Sequence, residues 1–380
     1  MKDYKIVIAM DSFKGSASSI QAEDWLEIGI RKVLPNCQIC KIPIADGGEG
    51  TVEALTTAFN GRFVTTRVEN PLGKMITAEF GMLNKKTAVI EMAEASGITL
   101  IDQTEENALI ASTFGVGQLI LAAIKEGAEN VYLGLGGSAT NDGGAGMAQA
   151  LGISLKDEFG REIPRGASGL KNLATIDITK KNKALNKVTI NILSDVTNPL
   201  TGENGATAIY GPQKGIKREN IKKIDGWLKN YSNVIQKDLG VSVDNRPGAG
   251  AAGGLGGGLL AFCNTEMHQG IENILTLLSV EEKIKDALLV ITGEGKMDAQ
   301  SINGKAPIGI ARLAKRHEVP VIAVVGSRDN DLTAVYQEGI DLVLSIINQP
   351  MSLKKALEST KENLIIAGET ATRAFLLKSK

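Results

Sequence analysis

"LLVITGEGKMDAQSINGKAPIGIARLAKRHEVPVIAVV" (288–325) decides the fold. It opens on an apolar run, "LLVI" (288–291), short enough for a strand and without the alternation of a half-exposed one. A polar, glycine-rich turn from Thr292 to Lys305 follows. "APIGIARLAKR" (306–316) then shows helical spacing, and "VIAVV" (321–325) is a second buried strand. The rhythm continues through a helix at 331–338, a strand "LVLSI" (342–346) and a final helix from about 352.

The first sixty residues repeat that rhythm. "KIVIAM" (5–10) is a strand and "SIQAEDWLEIGIRKVL" (19–34) an amphipathic helix ending before Pro35. "CQICKIPI" (37–44) is the next strand, and "GTVEALTTAF" (50–59) a helix closed by Asn60 and Gly61. Joining the two ends gives five strands alternating with helices, a doubly wound parallel sheet of the flavodoxin kind. Between them the pattern changes. "RFVTTRVE" (62–69), "KMITAEFGML" (74–83) and "TAVIEM" (87–92) are separated by turns too short for crossovers, so they form an antiparallel meander. A helix near 115–127, strands at 131–135 and 188–195, and a long amphipathic helix at 217–239 complete the middle. The expected fold is α/β: a discontinuous flavodoxin-like domain, 1–60 plus 288–380, with a mixed-sheet α/β domain, 61–287, inserted into it.

Composition limits the function. The formal net charge of −1 argues against nucleic acid and membrane surfaces as partners, since both require a basic footprint. No stretch approaches the length of a membrane span, and the first residues lack a signal-peptide pattern, so the expected location is cytoplasmic. Three cysteines fit a reducing compartment. Cys37 and Cys40 are spaced as C-x-x-C, but no second Cys/His pair exists to complete a zinc site. His268 and His317 are the only histidines, so a Ser-His-Asp hydrolase is not expected.

In an open α/β sheet, ligands bind beyond the carboxyl ends of the strands. Those ends carry "DSFKGS" (11–16), "ADGGEGT" (45–51), "TGEGKMDAQS" (292–301) and "GSRDN" (326–330). Asp11, Ser12 and Lys14 lie in the first. Asp46 and Glu49 flank Gly47 and Gly48 in the second. Glu294, Lys296 and Asp298 crowd the third, with Lys305 beyond. Acids and lysines together at a strand end suit a site that holds a cation and anionic phosphates at once. The middle domain adds "GLGGSATNDGGAG" (134–146), with Gly136, Gly137, Ser138, Asn141 and Asp142, then Asp195 in "SDVTNPL", then "GAGAAGGLGGGLLAF" (248–262), with Gly253, Gly254, Gly256 and Gly257. The last segment reads as a flexible hinge, as a close helix packing face or, better, as a phosphate-cradling loop that opens a helix. No Walker A pattern and no protein-kinase signature occurs. The residues amount to an acidic, glycine-rich, lysine-bearing cleft suited to phosphoryl transfer, which asks the protein mainly for positioning and charge stabilisation.

The chain resembles the bacterial type-I glycerate kinase family along essentially its whole length. The resemblance rests on "DSFKGS", "ADGGEGT", "NPLG" (70–73), "GLGGSATNDGGAGM", "DVTNPLTG", "YGPQKG" (210–215), "PGAGAAGGLGGGLLAF" and "TGEGKMDAQSINGKAPIGIA", in that order. It departs at Met10, where the family commonly has Pro, and at Ser194, where Cys is frequent. The resemblance implies conversion of ATP and D-glycerate to phosphoglycerate and ADP, with the 2-phosphate favoured. Within that reading, Asp298 is the general base and Asp46 the second choice. Asp195 and Glu294 hold Mg²⁺, Lys14 and Lys296 meet the glycerate carboxylate or the transferring phosphoryl group, and the amides of 136–138 and 253–258 hold ATP phosphates. The partners are small molecules, with a homodimer left open. Two alternatives stay open: a kinase for another small hydroxy acid, or a non-catalytic two-domain sensor that closes on a small anion.

Overall fold

The computed structural model describes residues 4–45, 47–268, 270–302 and 305–377. Its first sheet has five parallel strands in the spatial order Leu342–Ser345, Val321–Val325, Leu289–Gly293, Lys5–Met10, Gln38–Lys41. Numbered along the chain this is 2-1-3-4-5 from the other edge, the flavodoxin order expected from the alternation of apolar runs. All five residues of Leu289–Gly293 and of Val321–Val325 are buried, as central strands covered on both faces must be. The edge strand Gln38–Lys41 has no fully buried residue.

Helix Ser19–Arg31 starts at Ser18, whose hydroxyl accepts from Gln21 N while the Gln21 side chain accepts from Ser18 N. It packs on helix Thr360–Leu376 at a glycine contact. A Cβ on Gly29 would stand 2.0 Å from Ile365 O, and one on Gly368 2.5 Å from Leu26 O, so the two backbones approach as only glycine allows. The final helical region read from about 352 is two helices, Leu353–Glu358 and Thr360–Leu376.

The second sheet has six strands in the order Asn264–His268, Thr189–Leu193, Asn130–Gly134, Thr87–Glu91, Met75–Met82, Arg62–Glu69. The first four run parallel and the last two join antiparallel, so the meander expected over 62–92 is present and continues into a parallel half. Strand Asn264–His268 has no counterpart in the sequence reading. Its "NTEMH" lacks both an apolar run and clean alternation. The long helix is Ile221–Leu239, preceded by a 3-10 turn over Arg218–Asn220.

By internal contacts the chain divides into two units: Met1–Asp46 with Glu53–Ala58 and Gln269–Lys380, and Gly47–Val52 with Phe59–His268. These limits differ from the 61 and 287 read in sequence. Helices Gly270–Leu277 and Val280–Ile284 pack on helix Ala306–Arg316 and so go with the five-stranded sheet. No helix among the described residues is long and apolar enough to cross a membrane.

Candidate active site

In the first unit, polar turns follow the carboxyl ends of the strands. Asp11 N donates to Gly293 O at 2.9 Å, fixing the turn after the first strand to the central one, and the Asp11 carboxylate accepts from Ser12 N at 2.6 Å. Phe13 is buried and its amide donates to Ala17 O at 2.8 Å. That closure leaves Lys14 and Gly15 exposed at the tip, with Gly15 at φ +79. Among the described residues no carboxylate lies within ion-pair distance of Lys14.

The turn after the central strand is cross-linked by its own charges. Glu294 is 5% exposed, and one oxygen accepts from Ser301 Oγ at 2.7 Å while the other accepts from Lys305 Nζ at 2.8 Å. Burial raises the Glu294 carboxyl above its usual value, and the Lys305 ammonium opposes that shift. Ser301 Oγ also accepts from Asp298 N at 3.1 Å. Lys296 Nζ lies 3.1 Å from Asp298 Oδ2 and 3.7 Å from Asp329 Oδ1. The turn is held further by a parallel pairing of Lys296–Met297 with Ser327–Arg328, and by Asp329 N donating to Met297 O at 3.0 Å. The clustered acids and lysines of 292–305 thus neutralise one another: Glu294 with Lys305, Lys296 with Asp298. Asp46, the other carboxylate considered as a base, lies outside the described residues.

In the second unit, Gly47 and Gly48 run against the ends of two strands. A Cβ on Gly47 (φ +90) would stand 2.6 Å from Leu193 O, and one on Gly136 2.7 Å from Gly48 Cα. Glycine is required there for close approach of backbones. Glu49 and Asp195 are exposed, the latter just past strand Thr189–Leu193. Gly137 is exposed at the tip of the turn after strand Asn130–Gly134, and Ser138 is 9% exposed. Deeper in the same turn, Asp142 is fully buried and accepts from Thr113 N (2.8 Å), Thr113 Oγ1, Gly144 N (3.1 Å) and Gly146 N (3.1 Å). Those contacts give it the work of fixing the start of helix Ala145–Ala150. Asn141 donates to Thr207 Oγ1 at 2.9 Å.

The glycines of 253–257 are buried. Gly253 and Gly254 are left-handed, at φ +67 and +91. A Cβ on Gly253 would meet Thr140 O at 1.9 Å, and one on Gly256 would meet Gly248 O at 2.2 Å. Backbone fills the places where side chains would be, which is the close-packing reading weighed against the phosphate cradle.

Among the buried ionisable groups not singled out in the sequence are Glu91 and Lys214. Glu91, at the end of strand Thr87–Glu91, is 8% exposed and accepts from Val52 N at 2.8 Å. Burial raises its carboxyl from 4.5 to about 7, with Glu94 and Glu49 adding to the shift. Lys214, in "YGPQKG", is 2% exposed and burial lowers its ammonium to about 7. Nothing in a lone Glu or Lys marks it as buried. Because the folded protein holds the Glu91 proton more tightly than the unfolded chain, stability should fall as pH rises from 4.5 to about 7. Relative to Glu91→Gln, the wild type should lose on the order of 1–3 kcal/mol across that window in urea unfolding. A constant difference from pH 4.5 to 7.5 would contradict this.

Each unit thus carries polar, glycine-bearing turns at the carboxyl ends of its strands, and in the five-stranded unit these turns hold paired charges. A model of the glycerate kinase family matches residues 6–376. A glycerate kinase of Halalkalibacterium halodurans is 48% identical over 93% of each chain, and the glycerate 2-kinase of Escherichia coli K12 is 46% identical over 95% of each. The crystal structure of a candidate glycerate kinase 2 from Salmonella typhimurium LT2 superposes with a TM-score of 0.89 at 44% identity over the whole of both chains. The chain belongs to the glycerate kinase family, and it is an enzyme, a kinase that acts on glycerate.

Proposed function

We propose that this chain transfers the γ-phosphoryl group of ATP to the C2 hydroxyl of D-glycerate, releasing 2-phosphoglycerate and ADP, with Asp298 as general base. One observation carries the assignment of the base: Asp298 and Lys296 stand 3.1 Å apart on one braced turn at the carboxyl edge of the parallel sheet. When glycerate binds, its carboxylate competes with Asp298 for the Lys296 ammonium, and Lys14, which has no ion pair among the described residues, offers a second cation. Asp298 is then available to accept the hydroxyl proton as the glycerate oxygen forms its bond to the γ-phosphorus. The bond from that phosphorus to the bridging oxygen breaks, and the electron pair leaves with ADP.

Mg²⁺ is the expected companion of the nucleotide. Among the described residues no three of His, Cys, Asp or Glu gather to hold a metal by themselves. A nucleotide-borne Mg²⁺ needs only one or two carboxylates beside phosphate oxygens. Asp195, exposed just past a strand end, and Glu294, buried between Ser301 and Lys305, are the carboxylates that would serve. The ion would neutralise phosphate charge, and these carboxylates would be its protein donors.

Regiochemistry follows from the spacing of anchor and base. Glycerate's carboxylate and its C2 oxygen are close neighbours, so a 2-kinase needs its cation and base side by side, as Lys296 and Asp298 are. Purified protein should release ADP with D-glycerate and Mg²⁺, and none with EDTA. Coupled to enolase without added mutase, the product should yield phosphoenolpyruvate. ADP release without phosphoenolpyruvate would mean phosphorylation at C3. ADP release only with a different hydroxy acid would replace the substrate.

A further inference from the structure

The reaction as described leaves Lys214 unused. It sits on a closed turn, with Lys214 N donating to Gly211 O at 3.0 Å and Gly215 N to Pro212 O at 3.1 Å. Gly215 has φ +102, and a Cβ there would stand 2.7 Å from the Gln103 carbonyl, so the turn is pressed against a neighbouring segment by a residue that must be glycine. The lysine side chain therefore has one direction to take, and it ends beneath the glycine turn that follows strand Asn130–Gly134. Its ammonium donates to Ser138 Oγ at 2.8 Å and to Thr140 O at 2.6 Å.

Those two bonds orient two donors. A serine hydroxyl that accepts from a lysine Nζ has its own proton left for another acceptor. A trans peptide whose carbonyl accepts on one side carries its N–H on the other. The N–H opposite Thr140 O is that of Asn141, which finds no acceptor among the described residues. The outer face of the turn is accessible at Gly137, while the lysine is closed off. Lys214 is thus too deep to touch a ligand and acts through the groups it holds. The buried Asp142 carboxyl, which favours the charged form of Lys214, is already bound by four donors of the backbone and Thr113.

We propose that Lys214 is a positioning residue for phosphoryl transfer: it locks the Ser138 hydroxyl and the Thr140–Asn141 peptide so that the Ser138 O–H is presented to a phosphate oxygen of the nucleotide. This rests on the kinase reading above. The test compares wild type, Ser138→Ala, Ser138→Thr, Lys214→Met and the double variant Ser138→Ala/Lys214→Met in steady-state kinetics, each with a melting curve. Ser138→Ala and Lys214→Met should each raise KM for ATP roughly tenfold, the size of one hydrogen bond to a charged group, with KM for glycerate within about twofold of wild type. The double variant should be no worse than Ser138→Ala, because both single changes remove the same interaction. Ser138→Thr, which keeps the hydroxyl, should restore the wild-type KM.

A purely structural lysine would give additive losses or lower kcat and melting temperature without moving KM for ATP, and that result overturns the proposal. If Lys214→Met does not purify, Ser138→Ala decides alone, since an unchanged KM for ATP removes the donor that Lys214 is proposed to hold. A wild type that releases no ADP with glycerate overturns both the kinase reading and this inference. A wild type that turns over while Ser138→Ala keeps its KM for ATP overturns only the role of Lys214.

Discussion

Asp298→Asn should lower kcat roughly 10²–10⁴-fold, the usual contribution of general acid–base catalysis, while KM for ATP stays within about twofold. Asparagine keeps the shape and the backbone contacts, including the Asp298 N–H bond to Ser301 Oγ, so the turn should remain folded. What it loses is the ability to take a proton and the negative end of the pair with Lys296. Stopped assays should still show nucleotide binding by thermal shift. A variant with near wild-type turnover would make Asp298 an anchor for Lys296 alone and shift the test to Asp46.

Gly253→Ala should be severely damaging for a single added methyl group. The added Cβ would stand 1.9 Å from Thr140 O at a residue whose φ is +67, so steric overlap and backbone strain fall on the same atom. The obstacle is backbone and cannot swing aside, and the expected loss is roughly 4 kcal/mol or more in urea unfolding, the range reserved for core disruption. Gly240→Ala supplies the contrast. It has φ +72 with nothing within 4 Å, so it should lose only the left-handed cost of about 1 kcal/mol. Equal losses at the two sites would show that close packing around Gly253 contributes little.

That pair of glycines also shows what sequence could and could not tell. The three inner strands of the parallel sheet were legible because burial on both faces demands unbroken apolar runs, and "IVIA", "LLVI" and "VIAVV" are such runs. The family motifs were legible because glycine and acid together at strand ends have few structural uses. Dense glycine at 248–258 was ambiguous, since a phosphate cradle and a backbone crossing both need the missing Cβ, and only the neighbour that fills the space distinguishes them. Charge was ambiguous in a related way. The acids and lysines of 292–305 suggested open valences for a cation and for phosphates, yet Glu294 and Lys305 close on each other across eleven residues. Lys214 and Glu91 were invisible, because a single polar residue carries no periodicity and its burial is decided by elements far along the chain.

The central strand of the five-stranded sheet has a consequence for how the protein is made. Thr292 Oγ1 donates to Ala9 O at 2.7 Å across 283 positions of sequence. On a ribosome the strand Lys5–Met10 therefore emerges long before its neighbour Leu289–Gly293, and the residues of the six-stranded sheet pass out in between. At roughly 5–20 residues per second the wait is on the order of tens of seconds, far longer than a sheet of that size needs to form. The second unit can fold on the growing chain while "KIVIAM", already able to pair with Gln38–Lys41 on one side, keeps its other edge open for Leu289–Gly293, so the nascent protein's exposure to aggregation is concentrated along that one unpaired strand edge.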